Sequence, residues 1–282
     1  ILLKGFIQHG SVSIKSFYDC LDIIIISHHS WLLFKRSDSA TADGQPLQRD
    51  STDAMPEGNF ILLQPGKPFP FIWLTTERHQ PRTLSRNLSS TPRVPSFTSR
   101  VRERDRRCCV SGKRVPLNYF GNMRAAHIHP IAHADLWNTC HMYEWILDDA
   151  SEGEQGPTKI NSVQNGLLLR SDIHDLWDDC LLGVNVDDDY RIVSFGPDAD
   201  FDGHNLYINP AIPLKYRPSP ELLRSHFKQC VLANMKGAGA RDDLWDREDS
   251  HDLSGQVWQK ASGGYSRLEL ELATRLKGVI TA

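Results

Sequence analysis

The run Gln164-Asn-Gly-Leu-Leu-Leu-Arg-Ser-Asp-Ile-His174 constrains the fold of this chain more than any other. Asn165-Gly166 is a turn-forming pair, Leu167 to Leu169 form a short apolar arm, and Ser171 suits the N-cap of a helix beginning at Asp172. A turn, a buried strand and a helix start therefore follow one another directly, and His174 falls in a first helical turn. Asp172 and Asp175 suit the positive end of that helix. The same dipole disfavours an imidazolium and keeps His174 neutral, as a metal ligand must be. Asp178 follows one turn later on the same face, placed either to bind the same ion or to brace the helix.

A second constellation lies upstream, in Arg124-Ala-Ala-His-Ile-His-Pro130. The pattern from Cys108-Cys-Val110 through Ser111-Gly112 to Ala125-Ala-His-Ile128 predicts a β-hairpin whose second arm carries His127 to a strand end and stops at Pro130. Taken together, His127, Asn165 and His174 supply what phosphodiester hydrolysis requires. Histidine has the near-neutral basicity to deprotonate water, asparagine can fix the base's loop through side-chain hydrogen bonds, and a neutral imidazole on a helix can hold part of a metal's coordination. No single histidine among twelve carries this reading; the set does. The connection between the hairpin and Asn165 is longer than compact loops usually are. It contains an expected helix over Cys140 to Leu147 and bears Asp135, Glu144, Asp148, Asp149, Glu152 and Glu154, which predicts an exposed insertion turned away from any polyanion.

Charge is unevenly spread. Between Arg78 and Arg114 eleven Lys or Arg face two acids, Glu103 and Asp105, a local excess of +9 in a chain whose net charge is -3. Such a concentration beside the histidines suits a nucleic-acid partner, with Arg100, Arg102, Arg104, Arg106 and Arg107 as the candidate backbone contacts. Four stretches are expected: a small β-rich unit over 1–75, with a buried strand at Ile23 to Ile26; a basic Ser/Pro/Arg-rich linker over 76–100; the domain bearing the constellation over 101–210, including a hairpin over 181–195; and a mostly helical extension over 211–282. In that extension Pro220 opens a helix that Gly237 stops, and Ser266 with Glu269 forms a capping box before Leu268, Leu272 and Leu276. The longest apolar run is far short of the ~20 residues of a membrane span. Six cysteines without a Cys-x-x-Cys pair fit a reducing, intracellular compartment and no four-cysteine zinc clamp. Cys108 and Cys109 read as small buried hydrophobes.

The segments Arg106-Arg-Cys-Cys-Val-Ser-Gly112, Ala125-Ala-His-Ile-His-Pro130, Asn165-Gly-Leu-Leu-Leu-Arg-Ser-Asp-Ile-His174 and Leu176-Trp-Asp-Asp-Cys-Leu-Leu-Gly183 together resemble an HNH endonuclease domain, in the branch found in many fungal proteins. The likeness covers about residues 101–200. It implies an α+β chain with a ββα-metal core, one divalent cation (Mg2+, with Mn2+ or Zn2+ as alternatives) and cleavage of DNA, double-stranded by expectation. By position it implies His127 as general base, Asn165 as the residue that orients the loop and His174 as metal ligand. Many such enzymes place Asp, Glu or His directly before the base, where this chain has Ala126. His129, two residues on along an extended strand, or Asp178 from the helix are the candidates to complete the shell. The alternative is a catalytically silent nucleic-acid-binding or interaction module; a structural zinc domain is a third reading.

Overall fold

The computed structural model describes residues 3, 5, 7–39, 41–66, 72–82 and 94–236. They lie in a compact unit spanning Ile1–Ala240, and the second unit, Arg241–Ala282, falls outside them. The expected stop at Gly237 and the Ser266/Glu269 capping box therefore lie outside the described residues as well.

The elements run α1 (Ile14–Ile24), β1 (Ile25–Ile26), β2 (Leu32–Arg36), β3 (Ala42–Asp43), β4 (Phe60–Leu63), β5 (Trp73–Leu74), α2 (Pro95–Asp105), β6 (Met123–His127), α3 (Ala134–Thr139), α4 (Glu152–Gln155), β7 (Gly166–Arg170), α5 (Ser171–Asp178), β8 (Leu182–Asn185), β9 (Arg191–Ser194) and α6 (Pro220–Met235). The fold is α+β. Its strands form a three-stranded antiparallel sheet in the order β3-β2-β4 and three two-stranded pairs, β1-β5, β6-β7 and β8-β9.

Three local expectations are revised. The Ile23 to Ile26 run is split, Ile23 and Ile24 closing α1 and Ile25–Ile26 forming β1: Ser13 caps α1 by accepting from the Ser16 N–H, and Ile14, Tyr18, Leu21 and Ile24 line its buried face at helical spacing. Strand β6 does not pair with Cys108 to Val110. It pairs antiparallel with β7, in a register running from Met123 opposite Arg170 to His127 opposite Gly166. Leu167, Leu168 and Leu169 are fully buried, a burial worth on the order of 2 kcal/mol each. The Cys108 segment covers the other side of β7, with the Cys109 N–H donating to the Leu168 carbonyl at 2.8 Å. Finally, the helix expected over Cys140 to Leu147 lies upstream as α3, and the chain then turns through His141 at φ 52° into a single 3-10 turn, Met142–Trp145.

Helix α5 packs on both β6 and β7, giving a ββα unit. It begins one residue earlier than the sequence implies, with Arg170 at the N-cap. Helix α2 crosses β7 at close quarters. A Cβ on Gly166 would lie 2.5 Å from Val101 Cγ2 and 2.9 Å from the Phe97 ring, so only glycine permits this approach. Helix α6, capped by Ser219 and opened by Pro220, joins two buried clusters. Leu222 and Leu223 meet the ββα unit through Ile173 and Trp177. Phe227, Val231 and Met235 meet the N-terminal elements through Tyr18, Leu21 and Trp31.

Candidate functional site

His127 ends β6, and its ring lies flat on Phe97 of α2, centroids 3.8 Å apart and planes 12° from parallel. It is 6% exposed. Its Nε2 lies 3.3 Å from Asn161 Oδ1; with the proton on Nε2, Nδ1 is left as the basic nitrogen. Asn165 is fully buried and ties the segment just past His127 to the start of β7. Its Oδ1 accepts the His129 N–H at 2.7 Å, and its Nδ2 donates to the carbonyls of His129 (3.1 Å) and Ile160 (2.8 Å). Three bonds from one side chain, all in the interior, lock the chain's turn after the strand end.

The helix side of the unit is more open. His174 stands in the first turn of α5, with Nδ1 3.4 Å from Asp178 Oδ2 and side-chain exposures of 22% and 32%. Asp178 has a second partner. Arg82, from the basic stretch, places Nε 2.9 Å from Asp178 Oδ1 and donates to the carbonyls of Ile128 (2.6 Å) and His127 (2.5 Å). One guanidinium thus bridges the helix carboxylate and the backbone of the strand end. Nothing but its positive charge distinguished Arg82 in the sequence.

His129 takes a different place from His174 and Asp178. Its Nε2 faces the His133 carbonyl at 3.0 Å, and its ring packs at 5.5 Å from that of Trp137. Burial lowers its pKa to about 4, against the raising effect of that carbonyl, so the ring is neutral at physiological pH. Among the described residues, His127, His129, His174 and Asp178 form no cluster of three ligand atoms all within 4.8 Å of one another. Of these four side chains, His174 and Asp178 bring a ring nitrogen and a carboxylate oxygen together, 3.4 Å apart on one helix face.

The connection between β6 and β7 is exposed at Asp135, Glu144, Asp149, Glu152 and Glu154, as expected, but other parts of it are buried against the site. It supplies Asn161 and Ile160 to the contacts above, and Asp148 within it is 1% exposed. Burial alone would raise the Asp148 carboxyl, but hydrogen bonds from Arg100, Ser162 and the Ala150 N–H hold it below the ordinary carboxylate value. Asp149 is drawn outwards, to Lys215 and Tyr216. Acidic residues were visible in the sequence, but their partners, distant along the chain, were not.

Residues 108–185 match the model of a family described as HNH endonuclease. This segment belongs to that family. Neither a curated protein nor a solved structure matches the chain. The HNH segment contains β6, β7 and α5 entire and the turn that ends at Asn165, and with them His127, Asn165 and His174, whereas Phe97 and Arg82 reach it from outside.

The five arginines near the HNH segment divide in two. Arg104 is buried and holds Asp105 together with the carbonyls of Val163, Gly166 and Tyr216, and Arg100 pairs with Asp148 at 2.7 Å. These two brace α2 against the HNH segment. Arg106 is exposed, Arg102 lies over the Phe120 ring at 4.9 Å and Arg107 over the Tyr207 ring at 3.9 Å. No helix among the described residues is long and apolar enough to cross a membrane.

Proposed function

We propose that the chain is a metal-dependent endonuclease that hydrolyses DNA phosphodiester bonds, with His127 as general base, Asn165 as the residue that orders its loop, and His174 with Asp178 as protein ligands to one divalent ion, Mg2+ in the first place. The observation that carries the reading is the Asn165 side chain, whose three bonds join the backbone after His127 to the turn that leads into β7 and His174. Base and ligand are thereby held on one ββα unit.

His127 takes a proton from water, while Asn161 and the Phe97 stack hold the imidazole in one orientation. Asn165 keeps the strand end from shifting as the proton moves. His174 and Asp178 present one nitrogen and one carboxylate from a single helical face. A divalent cation, when bound, offsets the charge that builds on the phosphate and the leaving oxygen. Arg102, Arg106 and Arg107 grip the phosphate backbone, which makes binding fall steeply with salt.

A silent binding module is the second reading, and specific observations favour it. Ala126 carries no ligand atom, His127 is covered by Phe97, and Asp178 is already paired with Arg82. Plasmid nicking with Mg2+, Mn2+ or EDTA, run beside His127→Ala, separates the two. Metal-dependent nicking abolished by the substitution supports the enzyme; DNA binding without such nicking selects the silent module.

A further inference from the structure

A second set of metal-binding side chains meets away from the helix face just described. Cys180, His226 and Cys230 are all buried, and one ligand atom from each lies within 4.8 Å of the other two. They come from distant parts of the chain. Cys180 stands just past α5, where the backbone takes φ 55°; His226 and Cys230 sit one turn apart on α6 and so share a face. No Cys-x-x-Cys spacing announces them, so a second metal is not legible in the residue order alone.

Buried cysteines often serve only as small hydrophobes, so proximity alone decides nothing. Four further features do. Cys230 Sγ lies 3.6 Å from His226 Nδ1, and a tetrahedral centre with metal–sulfur and metal–nitrogen bonds of about 2.3 and 2.0–2.1 Å has an S···N edge of about 3.6 Å. The imidazole is already oriented: Nε2 is 3.2 Å from the Trp177 carbonyl, and an N–H donated there turns the Nδ1 lone pair towards Cys230. A metal-bound histidine typically donates its other N–H to such an oxygen. The ring is held flat on Trp177, with centroids 3.6 Å apart and planes 4° from parallel. Last, Asn234 Nδ2 donates to the carbonyls of both Cys180 and Cys230 at 2.8 Å each, clamping the two cysteine backbones together.

We propose that Cys180, His226 and Cys230 form a metal site for a zinc-like ion, bound by two thiolate sulfurs and one imidazole nitrogen. Loading releases the two thiol protons to solvent and leaves a site of zero net charge, 2+ from the ion against two thiolates. Two sulfurs select a borderline or soft cation over Mg2+, which prefers oxygen. This site is therefore chemically distinct from the His174 and Asp178 pair, and the proposal does not rest on the nuclease reading. A cleft of about 740 Å3, lined in part by Cys180 and His226, offers the route of approach and leaves the fourth position to water. The ion would pin the end of α5 to α6.

The test uses the full chain, freed of metal under reducing conditions and titrated with Co2+. The expected result is one equivalent bound with a thiolate-to-cobalt charge-transfer band and the strong visible absorption of tetrahedral cobalt, both displaced by Zn2+. Cys230→Ala weakens the charge-transfer band and the double variant Cys180→Ala/Cys230→Ala removes it, whereas His174→Ala and the exposed-cysteine control Cys140→Ala retain it in full. Should Cys230→Ala fail to fold, thiol counting on the unmodified chain replaces it, with two thiols protected from alkylation by zinc and released by chelator. Cobalt binding without the charge-transfer band, a band undiminished by Cys230→Ala, zinc that protects no thiols, or a Cys180–Cys230 disulfide persisting in reductant would each overturn the proposal.

Discussion

The two ends of the ββα unit are built on opposite plans. At the strand end, His127 and Asn165 are buried and every contact is directional: a flat stack on Phe97, a bond to Asn161, and three bonds from Asn165. At the helix end, His174 and Asp178 are about a quarter exposed, touch each other at 3.4 Å, and share Asp178 with a guanidinium from a distant stretch. The strand end is fixed before any ligand arrives. The helix end is more open to solvent, as the proposed ion and phosphate contacts would require.

The comparison breaks first at His127. His127→Ala should lower the nicking rate by about 10²–10⁴-fold, the usual contribution of a positioned base, with the Mg2+ concentration for half-maximal rate little changed. A rate within threefold of the parent would place the base elsewhere. Next comes Asn165→Ala, which orphans the His129 N–H and two carbonyls in the interior and should cost about 2–4 kcal/mol of stability, read by urea unfolding. A loss under about 1 kcal/mol would mean that the strand end is not locked by this side chain.

Acid should act on the same end. His129 is held neutral in the folded chain with a pKa of about 4, whereas the unfolded chain protonates it near 6.5. Above about pH 6.5 both states are neutral and nothing is lost; as pH falls towards 4 only the unfolded state gains the proton, so stability declines by up to ~3 kcal/mol. His226, whose pKa burial also lowers, pushes in the same direction. Denaturation at pH 7, 5.5 and 4.5, with His129→Gln as the flattened reference, checks the slope. The smallest effect belongs to the helix end. Arg82→Gln should reduce the Mg2+ requirement roughly two- to fivefold, since a partly exposed pair is worth about 0.5–1 kcal/mol. An increased requirement would show that Arg82 supports the ligand set.

What the sequence made legible was whatever contiguous residues encode. The Asn165-Gly166 turn, the leucine arm and the helix carrying His174 follow from local turn and strand chemistry, as do α6 from Pro220 and the β8-β9 hairpin. Strand β6 was visible but its partner was not, because two short apolar arms, the Cys108 segment and the Leu167 segment, compete to pair with it and tertiary packing chooses between them. Asn161, Phe97 and Arg82 carried no local signal at all; each acquires its role only when a distant segment folds back. The same holds for Cys180, His226 and Cys230. Arg104 failed in the opposite sense: its charge suggested a surface contact, but its guanidinium serves as an interior tie.

Gly166 carries a further consequence. Because Val101 and Phe97 of α2 occupy the space a Cβ would need, any side chain at Gly166 displaces them, and the movement reaches the imidazole stacked on Phe97. A single methyl would act as a shim, altering the histidine's alignment while the fold stays recognisable. Gly166 therefore sets both how closely α2 packs and where the His127 ring lies.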